Sequence, residues 1–255
     1  NTLIIACLTA CLVFAGSATA YDQSADGVVD ITPVDDAQVV EQKSTENFGA
    51  SGSMYVASQA GGSYGNERAW LKFNLARQVP PGAAITSAKL RLYCYNTDED
   101  SLQAAVHGST NDTWDEGTIT WSNQPGYNTA ASDSRTVTQA HGYRWVEWDV
   151  TAFVAAQNSA DRTVSLVVKP ETEGADPYEV FAFDAKEYVG APIVLLGSRA
   201  PRLRVEYSGG QWPQDNNITI LHTNDAHSRL TPHEMDIPGH DDVPEFEAVG
   251  GAAFL

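Results

Sequence analysis

The sequence predicts an all-β fold, a two-sheet antiparallel sandwich, with a short segment of a different class behind it. Three observations carry the prediction. Between about residues 36 and 207, short alternations of apolar and polar residues recur, separated by Gly, Asn, Asp, Ser and Pro, and helical periodicity is nearly absent. In "KLRLYCY" and "RLRVEY" the period is two: Leu90, Leu92 and Cys94, or Leu203 and Val205, share one face, and charged residues take the other. A sheet built this way has one apolar and one wet face and needs a second sheet to cover it, so many such strands over roughly 170 residues argue for a jelly-roll arrangement. Finally, the Gly, Pro and Asn-rich "SGGQWPQDNN" at 208–217 ends the pattern, and an unbroken apolar run, "ITIL", follows it.

In chain order, the first element is an export signal at 1–20. Leu3 to Phe14 is a short apolar stretch, too short to span a bilayer, and it ends in small residues, with Ala18-Thr19-Ala20 fitting an A-x-A cleavage site. The mature chain is expected to start near Tyr21, without a transmembrane segment, and to be secreted: extracellular, periplasmic or at the cell surface. A competing signal, Leu8-Thr9-Ala10-Cys11, has the form of a lipoprotein box, but Leu-Val-Phe-Ala follows Cys11 where an acylated cysteine normally opens a polar tether. Residues 21–31 read as an N-terminal linker and 32–208 as the sandwich. Strands are expected at 53–58, 69–75, 88–95, 145–150, 163–169, 179–185 and 202–207. One helical turn is expected at "DVTAFVAAQ", where Asp149 or Thr151 is placed to cap it. Residues 209–217 read as a second linker, and 218–255 as the start of another domain: the strand "ITILHT", then the acidic, proline-punctuated loop "TPHEMDIPGHDDVPEFE". No initiator Met opens the sequence and "VGGAAFL" closes it inside an apolar element, so a piece of a longer chain is expected at both ends.

The net charge of −18 is spread over short clusters, and no basic stripe is available to neutralise phosphates, so nucleic-acid binding is excluded as an expectation. The same charge repels anionic lipids and polyanionic glycans unless a local patch or bound divalent cations reverse its sign. Removal of the signal takes Cys7 and Cys11 with it and leaves one cysteine, so no internal disulfide framework is expected. Cys94 reads as a small core residue rather than a nucleophile.

The stretches "ENFGASGSMYVA", "RAWLKFNL", "PPGAAITSAKLRLY", "TWDEGTITWSNQP", "WVEWDVTAFV" and "PRLRVEY" follow one another from Ala37 to Tyr207. In that order they resemble the secreted β-sandwich domains called DNRLRE-type, which are grouped with carbohydrate-binding modules. The resemblance implies binding of a polysaccharide or cell-surface glycan. An indole offers a broad apolar face to the C–H side of a pyranose, which makes Trp114 and Trp121 candidate platforms; the alternative is that both anchor an internal corner. Trp70 and Tyr64 are the remaining platform candidates, and Trp145 and Trp148 point to opposite faces of one strand, one inward and one partly exposed. Asp98-Glu99-Asp100 is a candidate for a structural Ca²⁺ ion, which takes six to eight oxygens, or else a solvated turn. His107 and His141 are isolated, and no paired carboxylates or Ser-His-Asp set mark a catalytic site within the sandwich.

Near the end of the sequence stands "ILHTNDAHSRL", Ile220 to Leu230. In an extended chain, residues two apart project to one face, so Asp225 and His227 can converge on one cation at the C-terminal end of the apolar strand. This stretch is similar to the opening motif of the 5'-nucleotidase family of calcineurin-like metallophosphoesterases. The resemblance implies an α/β domain of which 218–255 holds only a truncated first strand and loop, with Asp225 and His227 as ligands of the first of two divalent metal ions and a nucleotide as substrate. Gly250-Gly251 matches the glycine pair that opens the first helix of that family, and His233, His240, Asp241 and Asp242 are not required by it. Two metals would activate a water and stabilise charge on the phosphoryl oxygens, but the further ligands such a site needs do not follow His227 here. Two functions of different class are therefore expected. The first is the N-terminal portion of an exported 5'-nucleotidase-like phosphoric ester hydrolase whose sandwich is an accessory module for carbohydrate or surface binding. The alternative is a non-catalytic secreted β-sandwich that binds carbohydrate or assembles at a surface.

Overall fold

The computed structural model describes residues 26–96, 101–175, 179–188 and 199–212. Their backbone forms eleven strands: β1 (Gly27–Ile31), β2 (Asp35–Val40), β3 (Ser53–Ser58), β4 (Glu67–Asn74), β5 (Ala84–Asn96), β6 (Ser101–Ser109), β7 (Asp133–Thr138), β8 (Arg144–Asp149), β9 (Thr163–Pro170), β10 (Glu179–Asp184) and β11 (Arg202–Ser208). A single α-helix among the described residues, α1 (Thr151–Asn158), follows β8. The fold is all-β and its ladders are antiparallel, as the period-two alternation predicts.

The strands divide into two layers. In one, β1 pairs β11, β11 pairs the first half of β5, β8 lines the opposite edge of β5, and β10 joins the far end of β5 to β3. In the other the order is β2-β4-β9-β6-β7. A single residue pair, Ala57 with Glu67, links β3 to β4 and makes the corner between the layers. Inward residues of both layers form one core: Leu90, Leu92 and Cys94 of β5, Val146 and Trp148 of β8, and Leu203 and Val205 of β11 meet Leu71, Phe73, Val106, Leu166 and Val168. Trp148 ties the layers directly, because its indole N–H donates to the Ala104 carbonyl on β6 at 3.0 Å and its ring meets the Phe183 ring edge-on at 6.0 Å. A buried indole needs such a partner for its one donor.

Four strands were not predicted, and each has a reason. β1 lies inside the expected N-terminal linker; Val29 and Ile31 pair with Val205 and Leu203, which closes the edge that β11 would otherwise present. β2 and β6 are buried along most of their length on both faces, with acidic, amide and small residues among the buried ones, so neither alternates, and β7 is a polar edge strand with no clean alternation. The helix stands where predicted. Val150 is its N-cap without a side-chain cap bond, while Asp149 one step earlier accepts the Thr151 backbone N–H at 2.9 Å. That bond holds the Asp149 carboxyl below its usual range. No helix among the described residues is long and apolar enough to cross a membrane.

A second, smaller core lies on the outer side of the β2-β4-β9 layer. Ala37, Val39, Trp70 and Val167 point away from the sandwich interior and are covered by the loop between β6 and β7, which brings Trp114, Ile119, Trp121 and Tyr127 over them. β9 is therefore buried on both sides, with Val164, Leu166 and Val168 facing inward and Ser165 and Val167 beneath the loop.

Candidate functional site

The covering loop decides the fate of the predicted platforms. Trp70 is fully buried, its indole N–H donates to Gln124 Oε1 at 3.1 Å, and its ring meets those of Trp114 and Tyr127 edge-on. Trp114 is 8% exposed and donates to Ser165 Oγ at 3.0 Å. Neither ring has a face open to a ligand. The alternation that turns Trp70 out of the sandwich core places it under a second cover, which a period-two pattern cannot reveal. Trp121 packs against the same cluster, with the Arg68 guanidinium 4.2 Å from its ring centre. Arg68 is in turn held by both oxygens of Glu173, at 2.7 and 2.8 Å. Tyr64 is exposed, with the Lys43 ammonium 4.9 Å from its ring centre. The structure does not bring these four aromatics together as one open surface. His107 is buried, its Nδ1 bonded to the Asn128 carbonyl at 2.9 Å, and burial lowers its pKa, so it is a packed structural histidine. Asp98-Glu99-Asp100, the export signal, and Asp225 and His227 lie outside the described residues.

The other layer presents a different outer face, and the strand register builds it. Because Leu90, Leu92 and Cys94 point inward, Lys89, Arg91 and Tyr93 of β5 point out, and so do Trp145 and Glu147 of β8 and Arg202 and Arg204 of β11. Pairing sets them in rows: Arg204, Lys89 and Asp149; then Arg202, Arg91 and Glu147; then Tyr93 and Trp145. The Tyr93 and Trp145 rings meet edge-on at 5.5 Å. Arg91 lies 5.0 Å from the Trp145 ring centre, and Arg199 stacks between Tyr93 and Tyr188 at 4.8 and 4.3 Å. The result is a strip in which aromatic rings alternate with guanidinium groups.

Charge on this face departs from the acidic average of the chain. Lys89 and Arg91 share Glu147, and Arg202 and Arg204 share Asp30; Asp149 and Glu206 stand on the same face, so acids and cations match and the strip is close to neutral. Beside the strip, where the edge strands β7 and β8 approach, lies a groove of about 540 Å³. Trp145 and Glu147 form one wall, Gln103, Ser134 and Thr136 the other, with Arg135 and His141 alongside. The polar wall is a chain of side-chain bonds: Thr136 Oγ1 donates to Gln103 Oε1 at 2.6 Å, and Gln103 Nε2 donates to Ser134 Oγ at 3.1 Å. His141 Nδ1 accepts the Thr138 backbone N–H at 3.1 Å, which puts the proton of the neutral ring on Nε2. Tyr143, 71% exposed, stands on the turn entering β8 with a left-handed backbone, φ 55°. An aromatic plane beside a row of amide and hydroxyl groups is the chemistry that recognises a sugar ring: apolar contact for its C–H face, hydrogen bonds for its hydroxyls. The edge strand β7 was the missing signal, since without it neither the groove nor the Gln103–Ser134–Thr136 wall can be assembled from sequence.

A second polar constellation sits at the end of the strip. Asp36 on β2, Glu116 in the covering loop, and Lys186 and Glu187 just after β10 converge, with ligand oxygens of the three acids within 4.8 Å of one another. Burial pushes the Asp36 carboxyl up to about 8, against the opposing backbone bond from Lys186 and with the Glu187 charge adding to the rise. For Lys186, burial is outweighed by its bonds to Glu116 and Glu187, and its pKa is raised.

Among curated proteins no significant match to the chain is found. A family model does match, over residues 27–196, which is more than half of the chain and takes in β1 through β10. With the all-β sandwich and its sugar-compatible outer face in place, the chain belongs to carbohydrate-binding module family 96.

Proposed function

We propose that the sandwich is a non-catalytic module that docks a glycan chain in the groove between β7 and β8, with Trp145 as the stacking platform. The observation that carries this is the juxtaposition of the Trp145 ring, steadied by Tyr93 and Arg91, with the hydrogen-bonding wall of Gln103, Ser134 and Thr136. Family membership supports carbohydrate as the ligand class. The near-neutral strip repels carboxylate- or sulfate-bearing glycans less than the rest of a chain of net charge −18 does, so both neutral and anionic glycans are candidates. The test is an array of neutral, uronate-containing and sulfated oligosaccharides, followed by calorimetry on the best binder with wild type and Trp145→Ala. Binding that weakens by at least about 30-fold in the variant, a loss of ~2 kcal/mol, supports the assignment. No binding in any class, with or without Ca²⁺, or binding unchanged in Trp145→Ala, refutes it.

A second proposal rests on sequence motifs alone. The DNRLRE-type resemblance of 37–207 and the "ILHTNDAHSRL" motif favour an accessory module in an exported phosphoesterase, with Asp225 and His227 as the first ligands of a two-metal site. A coding sequence continuing past Leu255 without further Asp, Asn and His ligand motifs would refute the enzyme half of this proposal and leave the module.

A further inference from the structure

We infer that Asp36, Glu116 and Glu187 form a binding site for one divalent cation of the calcium class. The three acids come from segments far apart in sequence, and the local architecture holds them together. The Asp36 backbone N–H donates to Glu116 Oε2 at 3.2 Å, and the Lys186 backbone N–H donates to Asp36 Oδ2 at 2.9 Å. Asn47 Nδ2 grips the backbone on both sides of this loop, donating to the carbonyls of Glu116 and Ile119 at 2.7 Å each.

Charge and hydrogen bonding do not balance within the cluster. Lys186 bridges Glu116 and Glu187 and offsets one of three carboxylates. Asp36, only 1% exposed, keeps Oδ1 buried with no hydrogen-bond partner, and Glu187 Oε2 is likewise buried and unpartnered. An orphaned carboxylate oxygen in a dry site is costly, and the Asp36 and Glu187 carboxylates face one another. A divalent cation between them satisfies both oxygens. All donors are oxygens, which selects hard cations, and three ligands drawn from separate segments suit the irregular coordination that Ca²⁺ accepts better than the strict octahedron of Mg²⁺.

The inference does not depend on the glycan assignment, since its readout is the metal alone. The full chain is stripped with EDTA, titrated calorimetrically with CaCl₂, and melted with and without the ion. Binding by this site raises Tm by about 5–10 °C when Ca²⁺ reaches about one hundred times Kd. Glu187→Gln, at a side chain 28% exposed and tolerant of substitution, weakens binding at least ~10-fold while the EDTA-state melt stays near wild type. Asp36→Asn abolishes binding; should that variant fail to fold, Glu187→Gln and Glu116→Gln decide the matter. No binding heat and no Tm shift up to about 5 mM Ca²⁺, above the weakest protein Ca²⁺ sites, overturns the site. So does Ca²⁺ binding of undiminished affinity in both glutamine variants, which would place the ion elsewhere.

Discussion

Replacing Trp70 and Trp145 separately by Ala distinguishes a tryptophan that holds the module together from the one proposed to meet its ligand. Trp70 is fully buried and takes part in two edge-on ring contacts and one hydrogen bond. Burying a Trp side chain removes roughly 150–250 Å² from water, which at about 25 cal/mol per Å² is worth ~4–6 kcal/mol. Measured truncations of buried Trp cost ~3–5 kcal/mol, and for a domain of this size each kcal/mol lowers Tm by about 2–4 °C. Trp70→Ala is therefore expected to melt about 6–20 °C below wild type, while the folded fraction at 25 °C binds glycan with unchanged affinity. Trp145 is partly buried, and the loss of about half of a Trp side chain's buried area costs ~2–3 kcal/mol. Trp145→Ala is expected to melt about 4–12 °C below wild type and, unlike Trp70→Ala, to lose glycan binding in its folded fraction. Scanning fluorimetry and calorimetry on the same preparations measure both quantities. A Trp70→Ala protein that melts like wild type yet no longer binds glycan would overturn the assignment of the two faces.

Two further outcomes follow from buried groups. Glu67 is 2% exposed, and burial pushes its carboxyl up from 4.5 to about 7, with Lys43 opposing. The folded state thus keeps a proton that the unfolded chain has lost above about pH 4.5, so its contribution falls as pH rises from about 4.5 to 7, by up to ~3 kcal/mol. Urea titrations across that window should show a steeper fall in wild type than in Glu67→Gln, where the Asp36 and Asp184 carboxyls still contribute; equal slopes would contradict the account. At Gly49 an added Cβ would stand 2.0 Å from the Glu116 carbonyl oxygen, a backbone atom fixed by Asn47. Gly49→Ala should cost ~1–3 kcal/mol in urea unfolding, and a value within about 0.5 kcal/mol of wild type would show that the covering loop yields freely.

How far the sequence could be read depends on what its patterns encode. Strands such as β5 and β11 were legible because one face is apolar and the other charged, and the opposite-face reading of Trp145 and Trp148 holds: Trp148 is fully buried and Trp145 is partly open. The same logic misplaced Trp70. Its alternation with Lys72 is that of a solvent-facing row, but Lys72 is tied to Asp35 at 2.7 Å and to the Trp114 carbonyl under the loop. Alternation reports which side of a sheet a residue takes and says nothing of what covers that side. The groove and the carboxylate cluster were illegible for a related reason. Gln103 lies across the β6–β7 pairing, and Asp36 and Glu187 are brought together only by closure of the sandwich. Residues that meet only across paired strands and closed layers leave no local spacing to find.

The pairing of β1 with β11 has a mechanical consequence. Gly27, where the first strand begins, lies opposite Tyr207 near the end of the last, and the Gly209 backbone N–H reaches back to Asp26 Oδ1 at 3.0 Å. The path into the sandwich and the path out of it therefore run side by side at one edge. Tension applied between them loads the Gly27 and Tyr207 rung first and then each rung in turn, as a zipper opens, instead of shearing all rungs together. A glycan gripped by the groove and pulled against the two flanking segments would thus meet a module whose first yield is the peeling of β1, with the core of β5, β8 and β9 still closed behind it.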